Sequence, residues 1–502
     1  MLPLNTFAPE VKLGIVSASR DCFPRELSEN RTTVLLDACE SAGISLVIPE
    51  GDCRIIESKA HARDAASQLR EAGCDAVVLY LGNFSPEIED AFFVKEFGGN
   101  VMIIAAAEES AATLCTDRGD ALCGLLSAML AVNKRSLMSK MYLPEDPVVD
   151  AGSGAAAVAY FARVIRVVKG ISNATIGLFG PRPRDFETCN YNLASVASLG
   201  VEVEEHGFFD LVNEIKRVQQ EEDVSDIIDS MRKEVPGVPS GNFAQRLALY
   251  EKAVLNLRDA YNLSGMTSQC WSEQEQALRH VPCYINARMA ARGFPIACEN
   301  DAYSLIAELL GQYASVAGVT ILDINHSIPA DLHKSLKDYP IEDVVGLFHC
   351  GNTDPGRMKK PAMKHQLIMK RLMEPDGEPD ITRGTVEGQI SASPITVLQV
   401  HGVGDNLRAY LAEGRFLDLD PKTFGGTGTA YIPGFRRFYR HVMLGRFHHH
   451  AAVAFDHVGA VVYDALKLLG VEEIYAPLPG NVAYPGENRF QTGRVPRQHS
   501  ST

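Results

Sequence analysis

Two carboxylates and an imidazole form a set that one metal ion could gather: Glu299 in ACEND, Asp323 in ILDINH and His450 at the end of FHHH. Glu299 and Asp323 are 24 residues apart, each within or just after a short apolar run. His450 follows Glu299 by 151 residues and stands immediately before AAVAF. Carboxylate oxygens with one imidazole nitrogen suit a divalent first-row ion such as Mn²⁺. The spacing is too wide for a short-range motif, so only a tertiary fold can bring the three together.

Local sequence gives each residue its case. An ionised carboxylate at a strand end is costly unless a cation meets it, and α/β sheets hold ligands at their strand ends. Glu299, after FPIAC, has that setting; the other reading is a carboxylate facing the positive end of a helix that begins near Asp301. Asp323 interrupts TILDI, a run otherwise fit for burial, so it needs a metal, an arginine or backbone N–H donors. In His448–His450 alternate side chains of an extended chain point apart, so one or at most two face inward. His457, seven residues later, is a candidate for a supporting place. His349 and Asn352 in HCGN lie at a strand end and the turn after it. Trp271, the only tryptophan, has Gln269 and Glu273 beside it, a ring face with hydrogen-bonding neighbours of the kind a sugar uses; core packing is the competing role. Tyr431, in the glycine-rich stretch 423–434, is a further candidate contact. Cys298 and Cys350 read as small buried packing residues. The sequence has no P-loop, no GxGxxG in the first βα turn, no HExxH and no Gly-x-Ser-x-Gly elbow.

The elements that must position these residues fall into three stretches. Over 1–168, short apolar strands (11–18, 44–49, 75–82, 101–107) alternate with helices (32–43, 58–73, 119–132, 154–169). This pattern predicts a mostly parallel sheet covered on both faces. Over 169–350 it restarts, with strands at 174–180, 201–207, 319–324 and 344–350 and helices near 190–199, 210–234, 243–261 and 301–312. Over 351–502 short strands at 383–391, 395–403 and 410–419 are separated by Gly, Asp and Pro, and a helix follows at 456–470. The expected fold is therefore two Rossmann-like α/β/α domains and a C-terminal β-rich, antiparallel barrel-like domain.

Composition bounds the partners. The 502 residues are 46% hydrophobic and 22% charged, with a formal net charge of -15. That balance argues against nucleic acid and anionic membranes, which need a basic footprint. No apolar run reads as a membrane span. The N-terminus lacks a Lys/Arg-led signal pattern, and the eleven scattered cysteines read as reduced thiols. A cytoplasmic location is the expectation.

The chain resembles the L-fucose isomerase family, and more distantly the L-arabinose isomerases. The resemblance is carried by GLFGPRPRDFETCNYN and LGVEVEEH over 170–210, by 290–330 and by 440–465. It implies Glu299 in ENDA, Asp323 in LDIN and His450, seven residues before His457-Val458-Gly459, as metal ligands. It also implies Mn²⁺ (with Co²⁺ or Mg²⁺ as substitutes), interconversion of aldose and ketose through a cis-enediol, and a hexamer or trimer with the active site near a subunit boundary. Glu299 and Asp323 would be the acid/base pair between C1 and C2. One departure stands out: where the family's first segment carries a sugar-binding arginine, this chain has Val16, with Arg20 or Arg25 as replacements. The expected function is a metal-dependent aldose–ketose isomerase acting on L-fucose, D-arabinose, L-arabinose or another pentose or deoxyhexose. The competing readings are a sugar-binding or regulatory protein without turnover, and a metal-dependent hydrolase or aldolase using the same ligands.

Overall fold

The computed structural model describes residues 1–116, 118–336 and 338–496. The chain divides into two compact units, one of Glu10–Lys169 with Asp464–Gly470, the other of Met1–Pro9, Gly170–Tyr463 and Val471 onward.

In the first unit, β1 (Leu13–Ala18), β2 (Leu46–Val47), β3 (Ile55–Ile56), β4 (Ala76–Leu81), β5 (Asn100–Ala106), β6 (Met141–Tyr142) and β7 (Val148–Val149) form one sheet. Every pairing is parallel. The main path runs β2-β1-β4-β5-β6. β4 is buried along its whole length, as expected of a sheet covered on both faces. Helix Lys59–Glu71 starts where Ser58 accepts the His61 N–H, and helix Glu87–Phe97 stops at Gly98, whose φ of 75° suits glycine. The first helix begins at Arg25, seven residues earlier than the sequence suggests, because its polar first turns carry no apolar stripe. Helix Ala151–Ser172 corrects a second expectation: it is long and apolar enough to cross a membrane by length and composition. Its Val158, Phe161 and Ile165 are part of this unit's buried core.

The second unit holds two sheets. β8 (Thr175–Phe179), β9 (Glu202–His206), β10 (Gly265–Ser268) and β11 (Ile296–Cys298) pair in parallel in the order β11-β10-β8-β9. The larger sheet contains β12 (Thr320–Ser327), β13 (Val344–His349), β14 (Met358–His365), β15 (Arg383–Ile390), β16 (Ser393–Val403), β17 (Asn406–Leu417), β18 (Gly426–Tyr431), β19 (His450–Ala454) and β20 (Glu473–Tyr475). Its order is β14-β15-β18-β13-β12-β19-β16-β17-β20, and β17 also pairs with β18, so six of the strands form a cycle of antiparallel pairings.

Two strands change places relative to the sequence reading. The segments 319–324 and 344–350, expected to complete a second α/β domain, are β12 and β13 of the larger, mainly antiparallel sheet. Their apolar sequences fit either a parallel or an antiparallel interior, and periodicity alone does not distinguish them. β14 carries no strand signal because MKKPAMKH is lysine-rich and contains a proline, the composition of an edge strand, and it lies at one end of the sheet order.

Candidate metal centre

β12 is flanked by β13 and β19, and its register places the site. Asp323 stands opposite His450 on β19 and opposite Phe348 on β13. His349 is the last residue of β13, next to Phe348. Glu299 arrives from the other sheet, one residue beyond the end of β11. Helix Ala302–Ser315 starts there and packs against β19 and β16, which draws the end of β11 toward His450.

The side chains converge on one nitrogen. His450 Nε2 is 3.8 Å from Glu299 Oε2 and 3.7 Å from Asp323 Oδ1. Both oxygens are buried and have no hydrogen-bond partner. These separations are too long for hydrogen bonds, yet they leave room between the atoms for an ion with bonds of about 2.0–2.2 Å to oxygen and nitrogen. Two orphaned carboxylate oxygens are costly in a buried site unless a cation completes them. The donor set therefore fits a divalent first-row metal. Asp323, His349 and His450 also place three ligand atoms within 4.8 Å of one another. A second such cluster, Cys189, Asp301 and His450, lies on the other side of the same imidazole.

Electrostatics follow from burial. It pushes the Glu299 carboxyl up to about 8, with His450 and His349 opposing. Burial also raises Asp323, again opposed by His349 and His450. Burial alone would raise Asp301, but His448, the hydrogen bond from His450 and the Ser304 hydroxyl outweigh it and hold that carboxyl well below its ordinary range. Asp301 is thus ionised. It caps the helix, with Oδ1 accepting the Ser304 N–H at 3.0 Å, while Oδ2 accepts from His450 Nδ1 at 2.8 Å. That bond leaves Nε2 as the nitrogen facing Glu299 and Asp323. A carboxylate behind a metal-binding histidine fixes its tautomer and ring orientation. Burial alone would lower the His349 imidazole, but the Cys350 side chain and the Asp323 carboxylate outweigh it and push it up to about 10, while the Cys350 N–H lies 2.9 Å from Nδ1.

The remaining candidates divide. Ser268 pairs with Cys298 across β10 and β11, which sets Gln269 beside Glu299; its Oε1 is buried without a partner. Cys270 Sγ lies 4.0 Å from Glu299 Oε1. Asn352 Nδ2 donates to Cys298 Sγ at 3.2 Å, and its Oδ1 is likewise buried and unpartnered. Trp271 follows in the same segment and meets Phe186 edge-on at 5.7 Å. Tyr431 is not brought to the centre. It pairs with Val344 at the far end of β13 from His349 and lines a different cavity with Pro394 and Arg415. His457 also lies away, on the Gly414 carbonyl at 2.9 Å. Arg20 belongs to the first unit, where its Nε donates to the Ser85 carbonyl and its guanidinium lies 4.2 Å from the Phe84 ring centre; Val16 is buried within β1.

The histidine run follows the expected alternation: the His448 and His450 side chains are 4% and 1% exposed, whereas His449 between them is 40% exposed, so two face inward. All three rings approach carboxylates: His448 Nε2 is 3.5 Å from Asp301 Oδ2 and His449 Nε2 is 3.9 Å from Asp323 Oδ1. Sequence reasoning missed Asp301 as more than a helix start. Its signal was there: an Asp immediately before the helix, two residues from a ligand candidate.

Two family models match the chain. One, Fucose/sulfoquinovose isomerase, N-terminal domain, covers residues 14–172. The other, L-fucose isomerase, C-terminal domain, covers residues 347–476 and includes His349 and His450. Together they span more than half of the chain and agree with each other. The chain belongs to the fucose isomerase family. No curated protein matches it. Family membership and the two ligand clusters together support a metal-dependent sugar isomerase. In this family member, Glu299 and Asp323 come from outside both matched segments, and the register of β12 is what joins Asp323 to a matched one.

Proposed function

We propose that the protein is an aldose–ketose isomerase for a pentose or 6-deoxyhexose, with Glu299, Asp323 and His450 holding Mn²⁺ and the two carboxylates moving the proton between C1 and C2. One observation carries this reading: Glu299 Oε2 and Asp323 Oδ1 are buried, unpartnered and aimed at the same imidazole nitrogen. When bound, a divalent ion supplies Lewis-acid stabilisation of negative charge on the sugar oxygens. The chain's residues do the rest. His450 is held by Asp301 so that Nε2 faces the site. A carboxylate within reach of the C1 and C2 hydrogens accepts the proton from one carbon and returns it to the other, by way of a cis-enediol. Gln269 and Asn352 offer unpartnered amide oxygens to sugar hydroxyls beside Glu299, with His349 and Trp271 as further contacts. Arg20 is proposed for the sugar as the replacement for the family's N-terminal arginine, and a homo-oligomer as the working assembly. The unpaired state of the eleven cysteines suits a cytoplasmic location.

The test is an assay of EDTA-treated protein on a panel of aldoses, with and without Mn²⁺. Ketose should form only with the metal. Full turnover after metal removal would end the proposal, and cleavage products in place of a ketose would move it to the hydrolase or aldolase reading.

A further inference from the structure

Behind His450 and the Asp301 that orients it lie two side chains, Cys189 and His448, that the isomerase chemistry does not use. Cys189 sits in a short turn after β8 and is buried. Its Sγ, a carboxylate oxygen of Asp301 and a ring nitrogen of His450 all lie within 4.8 Å of one another. His448 approaches from the side, with Nε2 3.5 Å from Asp301 Oδ2. The His448 side chain is only 4% exposed, and that Nε2 has no hydrogen-bond partner. A buried imidazole nitrogen without a partner, aimed at a carboxylate, is costly in a folded protein and calls for an explanation. Cys189 also lines a crevice of about 350 Å³ with Arg182, Asn190, Tyr191, Glu205 and Asn300, which gives a cation a route in.

The donor set differs in kind from the first. Glu299 and Asp323 make an oxygen-rich site, whereas sulfur with imidazole favours softer ions. We infer that Cys189, Asp301, His448 and the Nδ1 of His450 form a second, thiophilic cation site, which Zn²⁺ or Cd²⁺ occupies and which silences the first. Binding releases the Cys189 thiol proton to solvent, and the His450 ring moves its proton from Nδ1 to Nε2, which frees Nδ1 as a ligand. Asp301 then faces the ion instead of accepting from Nδ1. The hydrogen bond that orients His450 toward Glu299 and Asp323 is lost. The site is inhibitory for that reason, and its occupancy sets a soft-metal limit on the activity.

Cd²⁺ titration of metal-free, full-length protein tests this by ultraviolet absorption, with Mn²⁺ binding followed separately by calorimetry. One equivalent of Cd²⁺ should raise a thiolate-to-metal charge-transfer band that C189S lacks, and H448Q should weaken Cd²⁺ binding at least about tenfold. Preloading with Cd²⁺ should weaken Mn²⁺ binding to the wild type by a similar factor and leave it unaltered in C189S. The band reads the second site whether or not the protein turns over a sugar, so its failure is separate from failure of the isomerase assay. A band of equal size in C189S, which would place Cd²⁺ on other thiols, overturns the inference. So does unchanged Cd²⁺ affinity in H448Q, or Mn²⁺ binding indifferent to Cd²⁺.

Discussion

At the scale of single residues, the candidate centre is defined by what its polar atoms lack. Glu299 Oε2 and Asp323 Oδ1 are unpartnered, whereas Asp301 is fully engaged by Ser304 and His450. The two kinds of carboxylate should respond differently to substitution. Glu299→Gln keeps size and removes the charge, so we expect a loss of at least about a thousandfold in kcat with an unchanged circular dichroism spectrum; comparable turnover would remove Glu299 from the proton transfer. Asp301→Asn keeps the helix cap but no longer favours the Nδ1–H tautomer. Mn²⁺ affinity measured by calorimetry should fall about 10–100-fold, while helix content stays unchanged. An unaltered affinity would show that His450 is oriented by its strand alone.

Elements explain how such residues are held, and two of them make separate predictions. β18 is glycine-rich because it packs against large rings: a Cβ at Gly428 would stand 2.4 Å from the Phe416 ring, itself fully buried. Gly428→Ala should therefore cost about 1–3 kcal/mol in urea unfolding. In the first unit, Asp90 lies on helix Glu87–Phe97, wholly buried, with Oδ2 accepting from Ser85 and Oδ1 unpartnered. Burial raises its carboxyl from 3.8 to about 7, with Ser85 opposing. The folded state then holds this proton more tightly than the unfolded chain. Its contribution is complete below about pH 4 and is lost as pH rises through about 7. Asp90→Asn should remove that part of the pH dependence and leave the protein more stable than wild type at pH 8, measured as urea midpoints against pH.

For the whole molecule, metal and stability are linked. An ion that binds the folded site and not the unfolded chain stabilises it by mass action, about 2.7 kcal/mol at a hundredfold excess over Kd. Adding Mn²⁺ to EDTA-treated protein should raise the thermal midpoint, and the rise should vanish in a Glu299→Ala/Asp323→Ala double variant. A persistent rise would place the ion elsewhere. Light scattering of the same samples reads the proposed assembly directly.

The sequence alone determined the alternation of strands and helices in the first unit, because fully buried parallel strands are near-continuous apolar runs that short amphipathic helices interrupt. It also determined which residue types could do chemistry: an acid inside TILDI and an acid after FPIAC stand out in runs otherwise suited to burial. The tertiary structure decided which of these meet. Asp323 faces His450 only because β12 and β19 pair antiparallel in one register, and a shift of one residue would turn every side chain to the opposite face. The antiparallel pairing of β12 with β13 moved both out of the expected α/β arrangement, and the pairing of β13 with β18 set Tyr431 at the far end of β13. Long-range register depends on partner strands more than a hundred residues away, and no local pattern encodes it. Asp301 showed in the sequence only as a helix start, and the role of His448 did not show at all. Each is ordinary in its own segment and acquires a role only when a helix start and a bend before a strand are folded against each other.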